Sequence, residues 1–383
     1  MFSFRTLAAP FLAAGMIFAA DPAAIDRAAK IVKEKAAQTP KALDLDFQLL
    51  AAETLQPRYP ALAQKFIEPV LQELRANKAM ATPSVMQMLT TLAPTEAEAI
   101  SPPNPPAPKP ATGAQPAPKP AAAARPAPPP ELAAISKKMG QVRGLPTDAD
   151  RAKLVLEVVA EIRALPAGMS KLSPSYGLAN LVTEGDLGKE ALSAAASTLA
   201  LALTENQGSA AFYYLELAKL VRYEHLAPLP ADPSVDAATA LLELHDLVVQ
   251  ESGFSLAALD GKTYDLAALR GKVVLLNFWA TWCRPCRREM PDMEKLYRRF
   301  SSKGLVVLAV SDETREKVED FLKKQNYTFA VLLDPDRQVN KAFGIEGIPN
   351  SFLFDRQGKL VAQSIDMRTE RQFLEMFQAA GLR

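Results

Sequence analysis

Cysteine is almost absent: a chain of 383 residues carries two. That excludes the disulfide framework that holds many small secreted domains, because two thiols close a single short-loop bridge at most. Histidine is as scarce, also two, and neither lies near the two thiols in the sequence, so a zinc site is not expected. Neither sign of charge is in excess. The balance of 44 Lys and Arg against 43 Asp and Glu leaves a net +1, which gives no electrostatic reason to expect nucleic acid as a partner. A phosphate loop is missing as well: Gly261-Lys262-Thr263 has Leu256 where its first glycine belongs. Cys286 is followed by Arg287, so the haem-attachment pattern Cys-x-x-Cys-His is also absent.

The scarce residues are concentrated in one place. Both cysteines and both tryptophans lie within Trp279-Ala280-Thr281-Trp282-Cys283-Arg284-Pro285-Cys286. An apolar strand, Lys272–Phe278, precedes this octapeptide, and a charged amphipathic helix over about 285–300 follows it. A Cys-x-x-Cys at such a strand–helix junction is a redox motif; the alternative is an inert structural bridge. The spacing puts Cys283 at the helix N-terminus, where unpaired N–H groups and the macrodipole favour a thiolate. Its pKa is expected to fall below the ordinary ~8.5. Cys283 is thus the expected attacking thiolate. Cys286, one turn inside, is the shielded thiol that resolves the mixed disulfide. Arg284 either favours the thiolate further or is an ordinary solvated charge. Pro285 suits the first turn, where its missing N–H costs nothing.

A length of 383 residues fits two or three domains. Residues 1–20 read as a secretory signal, with Arg5 before an apolar run and Ala19-Ala20 before Asp21. The alternative is an uncleaved interfacial anchor, since the run is shorter than the ~20 residues of a spanning helix. Residues 21–100 show helical periodicity punctuated by Pro40, Pro57, Pro60 and Pro83. In residues 101–130 thirteen of thirty are proline, a composition that builds no core and reads as an extended polyproline linker. Helical periodicity returns over residues 131–251. Helix-on-helix packing is expected there, open to a repeat of the tetratricopeptide kind although no residue-level consensus recurs. His225 and His245, with Tyr213, Tyr214 and Tyr223, read as surface or packing residues of these helices. Residues 252–383 alternate strand and helix, which argues for an α/β sandwich on a partly parallel sheet. The fold class is therefore multidomain, with α-helical N-terminal regions and a C-terminal α/β domain.

The run Phe278 to Cys286, with Gly347-Ile348-Pro349 downstream and Pro291 after the second cysteine, is similar to the thioredoxin superfamily signature. Leu259-Asp260-Gly261-Lys262, Leu269-Arg270-Gly271-Lys272 and Arg288-Glu289-Met290-Pro291 resemble its TlpA/ResA-like branch. The resemblance spans residues 252–383 and says nothing of 21–251. It implies a thioredoxin-like fold and an exported disulfide reductase, periplasmic or otherwise extracytoplasmic, of a branch that often serves cytochrome c maturation. Its partners would be disulfide-bearing proteins and an upstream thiol donor. Its only redox group would be the Cys283–Cys286 disulfide, with no bound cofactor or metal. The helical region is open to a further protein partner.

By the same resemblance, Glu289 matches an acid that handles protons beside the site. It lies three residues after Cys286, on nearly the same helix face, and is expected to deprotonate Cys286 with a raised pKa if buried. Its alternative is a surface carboxylate paired with Lys or Arg. Asn277 stands where thioredoxin carries a buried aspartate, and an amide cannot accept a proton. Pro349 aligns with the family's cis-proline, which would set the Ile348 backbone beside the cysteines for an extended substrate; Asn350 departs from the threonine common after it. Trp282 is expected to cover the disulfide and meet substrate. Two other readings remain open from sequence: a helical adaptor carrying a redox domain, and a thiol peroxidase. The second expects Pro-x-x-x-Thr-x-x-Cys, which surrounds neither cysteine.

Overall fold

The computed structural model describes residues 22–100, 128–206, 211–223, 226, 232–345 and 347–383. The signal segment, most of the Pro-rich linker and His225 lie outside the described residues. The first half is helical: α1 (Pro22–Ala36), α2 (Lys41–Leu55), α3 (Pro60–Ala76), α4 (Pro83–Leu92) and α5 (Pro94–Ile100) precede the linker. After it come α6 (Pro130–Val142), α7 (Asp148–Ala164), α8 (Met169–Gly185), α9 (Lys189–Thr204), α10 (Ala211–Tyr223) and α11 (Pro233–Glu251). Their starts follow local chemistry. Pro60, Pro83, Pro130 and Pro233 occupy first-turn positions, where a missing N–H costs nothing. The Asp232 side chain accepts from the Ser234 and Val235 N–H groups at the start of α11.

Sequence alone divides these helices at the linker, but the structure packs the two stretches on each other. Helix α1 lies against α11, and α2 against both α10 and α11. One continuous apolar core runs from Ile25 through Phe47, Phe66 and Ile135 to Leu244 and Val248. The physical reason is burial: each short amphipathic helix has an apolar stripe that its own stretch cannot cover. Helix α8 is hidden in the sequence because Pro174 and Gly177 interrupt its pattern. His245 is partly buried beside Asp246, 3.6 Å from its carboxylate.

A small hairpin of β1 (Ser255–Ala257) and β2 (Thr263–Asp265), too short to show a period in the sequence, leads into the α/β domain. There follow β3 (Val273–Phe278), α12 (Arg284–Phe300), β4 (Leu305–Ser311), α13 (Arg315–Leu322), β5 (Ala330–Leu333), α14 (Gln338–Ala342), β6 (Asn350–Phe354), β7 (Leu360–Ile365) and α15 (Glu370–Ala379). The sheet order is β5-β4-β3-β6-β7. Strands β4 and β5 run parallel to β3, while β6 is antiparallel to β3 and β7 to β6. The sheet is thus mixed, in keeping with the alternation of strand and helix. Gly358, with φ +78°, closes the β6–β7 turn, a backbone region that glycine enters without steric cost.

Strand β3 is buried along its whole length, as a central strand covered on both faces must be. Val273 and Leu275 face α12 and α15, joining Met290, Met293, Phe300, Phe373 and Phe377. Val274, Leu276 and Phe278 face the other layer, with Phe254, Phe343 and Phe352. This alternation sends Asn277 to the α12 side and delivers the chain, at the strand's end, to the cysteines.

Candidate active site

Beyond β3, the Trp279 N–H donates to the Val310 carbonyl (3.0 Å), which holds the following loop to the neighbouring strand. Glu313 ties down the loop: its carboxylate accepts from the Thr281 N–H at 2.5 Å and the Thr281 hydroxyl at 3.0 Å. Cys283 is the N-cap of α12, and the Cys286 N–H donates to its Sγ at 3.2 Å. Sulfur here takes the position of a capping oxygen, so negative charge developing on it meets an N–H and the helix terminus. The two cysteines are joined as a disulfide. Both cysteines are buried, Cys283 at 3% exposure and Cys286 at 0%.

The Ile348–Pro349 bond is cis, and the Ile348 carbonyl oxygen lies 3.7 Å from Cys283 Sγ. Structure therefore gathers Cys283, Cys286 and the Ile348–Pro349 corner around one point. Trp282 neighbours them but is 71% exposed; its ring stands largely in solvent instead of being packed over the disulfide. Trp279 is buried against Phe321, with ring centroids 5.5 Å apart.

Glu289 is not a surface carboxylate. It is 1% exposed on the inner face of α12. One oxygen accepts from Asn277 Nδ2 at 2.8 Å, the other from the Arg368 N–H at 2.9 Å. Burial pushes its pKa up from 4.5 to about 7, against the lowering effect of those two hydrogen bonds and of the Arg368 charge. A carboxyl poised near neutrality can take and return a proton at working pH. Asn277 also donates to Ser351 Oγ at 3.0 Å, so β3, β6, α12 and the β7–α15 connection meet around this pair of side chains.

Three of these supporting residues escape sequence reasoning. Arg368 acts through its backbone N–H, 79 positions from Glu289, and no side-chain pattern reports such a contact. Ser351 and Glu313 are single polar residues whose partners only the tertiary fold reveals. Among the described residues no group of three or more His, Cys, Asp or Glu is arranged to hold a metal ion.

Asn277→Asp should test the electrostatics of this pocket. A second carboxylate would sit where an amide now donates, and two buried like charges cannot both ionise cheaply. Stability at pH 8 should fall by roughly 2–4 kcal/mol, and the loss should shrink at pH 5. Urea unfolding at the two pH values measures it; an equal loss at both would show that charge is not the cause.

Fold and site together define a thioredoxin-fold protein with a Cys-x-x-Cys disulfide at a helix N-terminus. Residues 250–363 match the AhpC/TSA family. Thiol-disulfide oxidoreductase ResA of Bacillus thuringiensis (strain Al Hakam) is 40% identical over 120 residues, 31% of this chain and 69% of the relative. ResA of Bacillus subtilis (strain 168) is 41% identical over 118 residues, 30% of this chain and 66% of the relative. Through its C-terminal domain the chain belongs to the ResA family of thiol-disulfide oxidoreductases, and it is an oxidoreductase. Among solved structures, StoA from Bacillus subtilis matches at 29% identity, covering 33% of this chain and 96% of that one, with a TM-score of 0.30. A putative thiol:disulfide interchange protein DsbE from Chlorobium tepidum matches at 34% identity, covering 33% and 92%, with a TM-score of 0.32.

Proposed function

We propose that the protein is an exported reductant of protein disulfides working through Cys283 and Cys286. The observation that carries this reading is the disulfide at the start of α12, with its outer sulfur beside the Ile348 carbonyl and its inner sulfur buried. In the reduced protein the Cys283 thiolate attacks one sulfur of a substrate disulfide, forming a mixed disulfide and expelling the other substrate sulfur as a thiolate. Cys286 gives its proton to the Glu289 carboxylate and attacks Cys283. The mixed disulfide breaks, the second substrate thiolate leaves, and the Cys283–Cys286 disulfide closes. Substrate has gained two electrons and the protein has lost two. An upstream dithiol donor restores the pair.

Ile348 and Pro349 form the edge along which an extended substrate segment lies, and exposed Trp282 offers it an apolar face. The relay needs no bound cofactor or metal beyond its own disulfide. Resemblance to the TlpA/ResA-like branch supports cytochrome c maturation as the setting. An extracytoplasmic location, reached through residues 1–20 with cleavage or retention as an anchor, fits the reading of that segment. No described helix is long and apolar enough to cross a membrane. The peroxidase alternative has no residue pattern in its favour, because neither cysteine carries the required Pro and Thr.

The direct test is a redox titration followed by tryptophan fluorescence, since Trp282 adjoins Cys283. Reversible two-electron behaviour is expected, together with stoichiometric reduction of a disulfide-bearing protein by the pre-reduced enzyme and none by Cys283→Ser. A bridge that dithiols leave untouched under native conditions would sink the proposal.

A further inference from the structure

The helical region touches the α/β domain at a point that bears on Glu289. Helix α8 ends on Asp186 in the left-handed conformation, φ 53° and ψ 47°. Aspartate is one of the few residues besides glycine and asparagine that enter that region. Its carboxylate reaches across to the N-terminus of α15. Asp186 Oδ2 accepts from the Thr369 hydroxyl at 2.5 Å and from Arg371 Nε at 3.1 Å. Alongside, Gln372 Nε2 donates to the Thr183 carbonyl at 2.8 Å. Thr369 is itself the N-cap of α15, closed by a capping box with Gln372. The residue immediately before it is Arg368, whose backbone N–H holds Glu289.

We propose that Asp186 is a positioning residue for the disulfide reaction: by clamping Thr369 and Arg371 it fixes the β7–α15 connection and so aims the Arg368 N–H at the Glu289 carboxylate. Asp186 thereby links the helical region to the redox centre, beside the packing of α10 and α11 on β7, and whatever shifts α8 relative to α15 alters how readily Glu289 gives up its proton. This rests on the reading of Glu289 as the proton acceptor for Cys286. The charged groups acting on Glu289 are Arg368 and Asp366, both in the β7–α15 connection. Its contacts from β3 and, through Asn277, from β6 are the neutral Asn277 and Ser351.

The experiment uses the full chain and three variants, Asp186→Ala, Asp186→Asn and Glu289→Gln, each first shown to unfold cooperatively. Carboxyl NMR of oxidised protein follows the Glu289 titration. Rapid mixing of reduced protein with a disulfide substrate separates the first attack from resolution. In Asp186→Ala the weakened N–H donor should raise the Glu289 midpoint by about one pH unit, with a matching shift in the pH profile of resolution and no change in the first attack. Asp186→Asn keeps an acceptor for Thr369 and should recover part of the shift. In a Glu289→Gln background, Asp186→Ala should change resolution no further, the non-additivity of two residues acting in series. An unmoved Glu289 midpoint in Asp186→Ala overturns the proposal, as does a loss equal in both steps. If Glu289→Gln alone leaves resolution unchanged, the proton-acceptor reading fails instead, whatever Asp186 does to the midpoint.

Discussion

Cys286→Ala should accumulate covalent adducts with its substrates, each linked through Cys283 and each released by added reductant. The buried inner sulfur is one helical turn from the outer one and already bonded to it, so its attack on a mixed disulfide is intramolecular. Well-oriented intramolecular reactions reach effective molarities of ~10⁵ M or more. External thiol at millimolar levels therefore cannot replace it, and turnover should fall at least about 10³-fold. Cys283 keeps its place at the helix terminus in this variant, so the first attack survives. Non-reducing gels and mass spectrometry of the captured species report the outcome. Adducts that form equally well in Cys283→Ser, through the remaining Cys286, would refute the assignment of the attacking sulfur.

Glu289→Gln should leave that first attack intact and slow resolution by roughly 10²-fold or more, the usual worth of a positioned general base. A second, independent signature is thermodynamic. The Glu289 pKa is raised from 4.5 to about 7 in the folded, oxidised protein. A native state that holds a proton the unfolded chain has released is favoured at low pH. The resulting stability is fully present below pH 4.5 and is lost as pH rises through about 7. A shift of that size amounts to about 3 kcal/mol. Glutamine has nothing to titrate, so the stability of wild type relative to Glu289→Gln should decline by about that amount between pH 4 and pH 8. Denaturant unfolding of both proteins across this range measures it. A flat difference would mean that Glu289 titrates in the folded protein as it does in the unfolded chain, and the case for a proton acceptor poised near neutrality would go with it. Glutamine also brings its own N–H group toward Asn277 or Arg368, which now both donate. Some loss of stability at every pH is therefore expected, and only its slope is diagnostic.

Much of the α/β domain is legible in the order of its amino acids. The run from Val273 to Phe278 is continuously apolar but for Asn277, which is what a strand covered on both faces requires, and β3 lies there. Cys283 at the start of a helix follows from the order of strand, loop and amphipathic run. Most helices of the first half are legible from their spacing; α5 and α6, which flank the Pro-rich linker, are not read individually, and in α8 proline hides the period. How they associate is not, because a stripe of Leu and Ala states that it must be covered and not by what.

Local chemistry thus settled most of the helices and the strands of the main sheet, where the two sulfurs fall and that an acid follows them by one turn, since each depends on residues within a few positions. Tertiary structure alone decided that this acid is buried, that Asn277 and the Arg368 N–H hold it, and that Asp186 bonds Thr369, the residue after Arg368. Those facts depend on desolvation and on contacts between residues from 12 to 183 positions apart, which arise only when separate apolar faces close on one another.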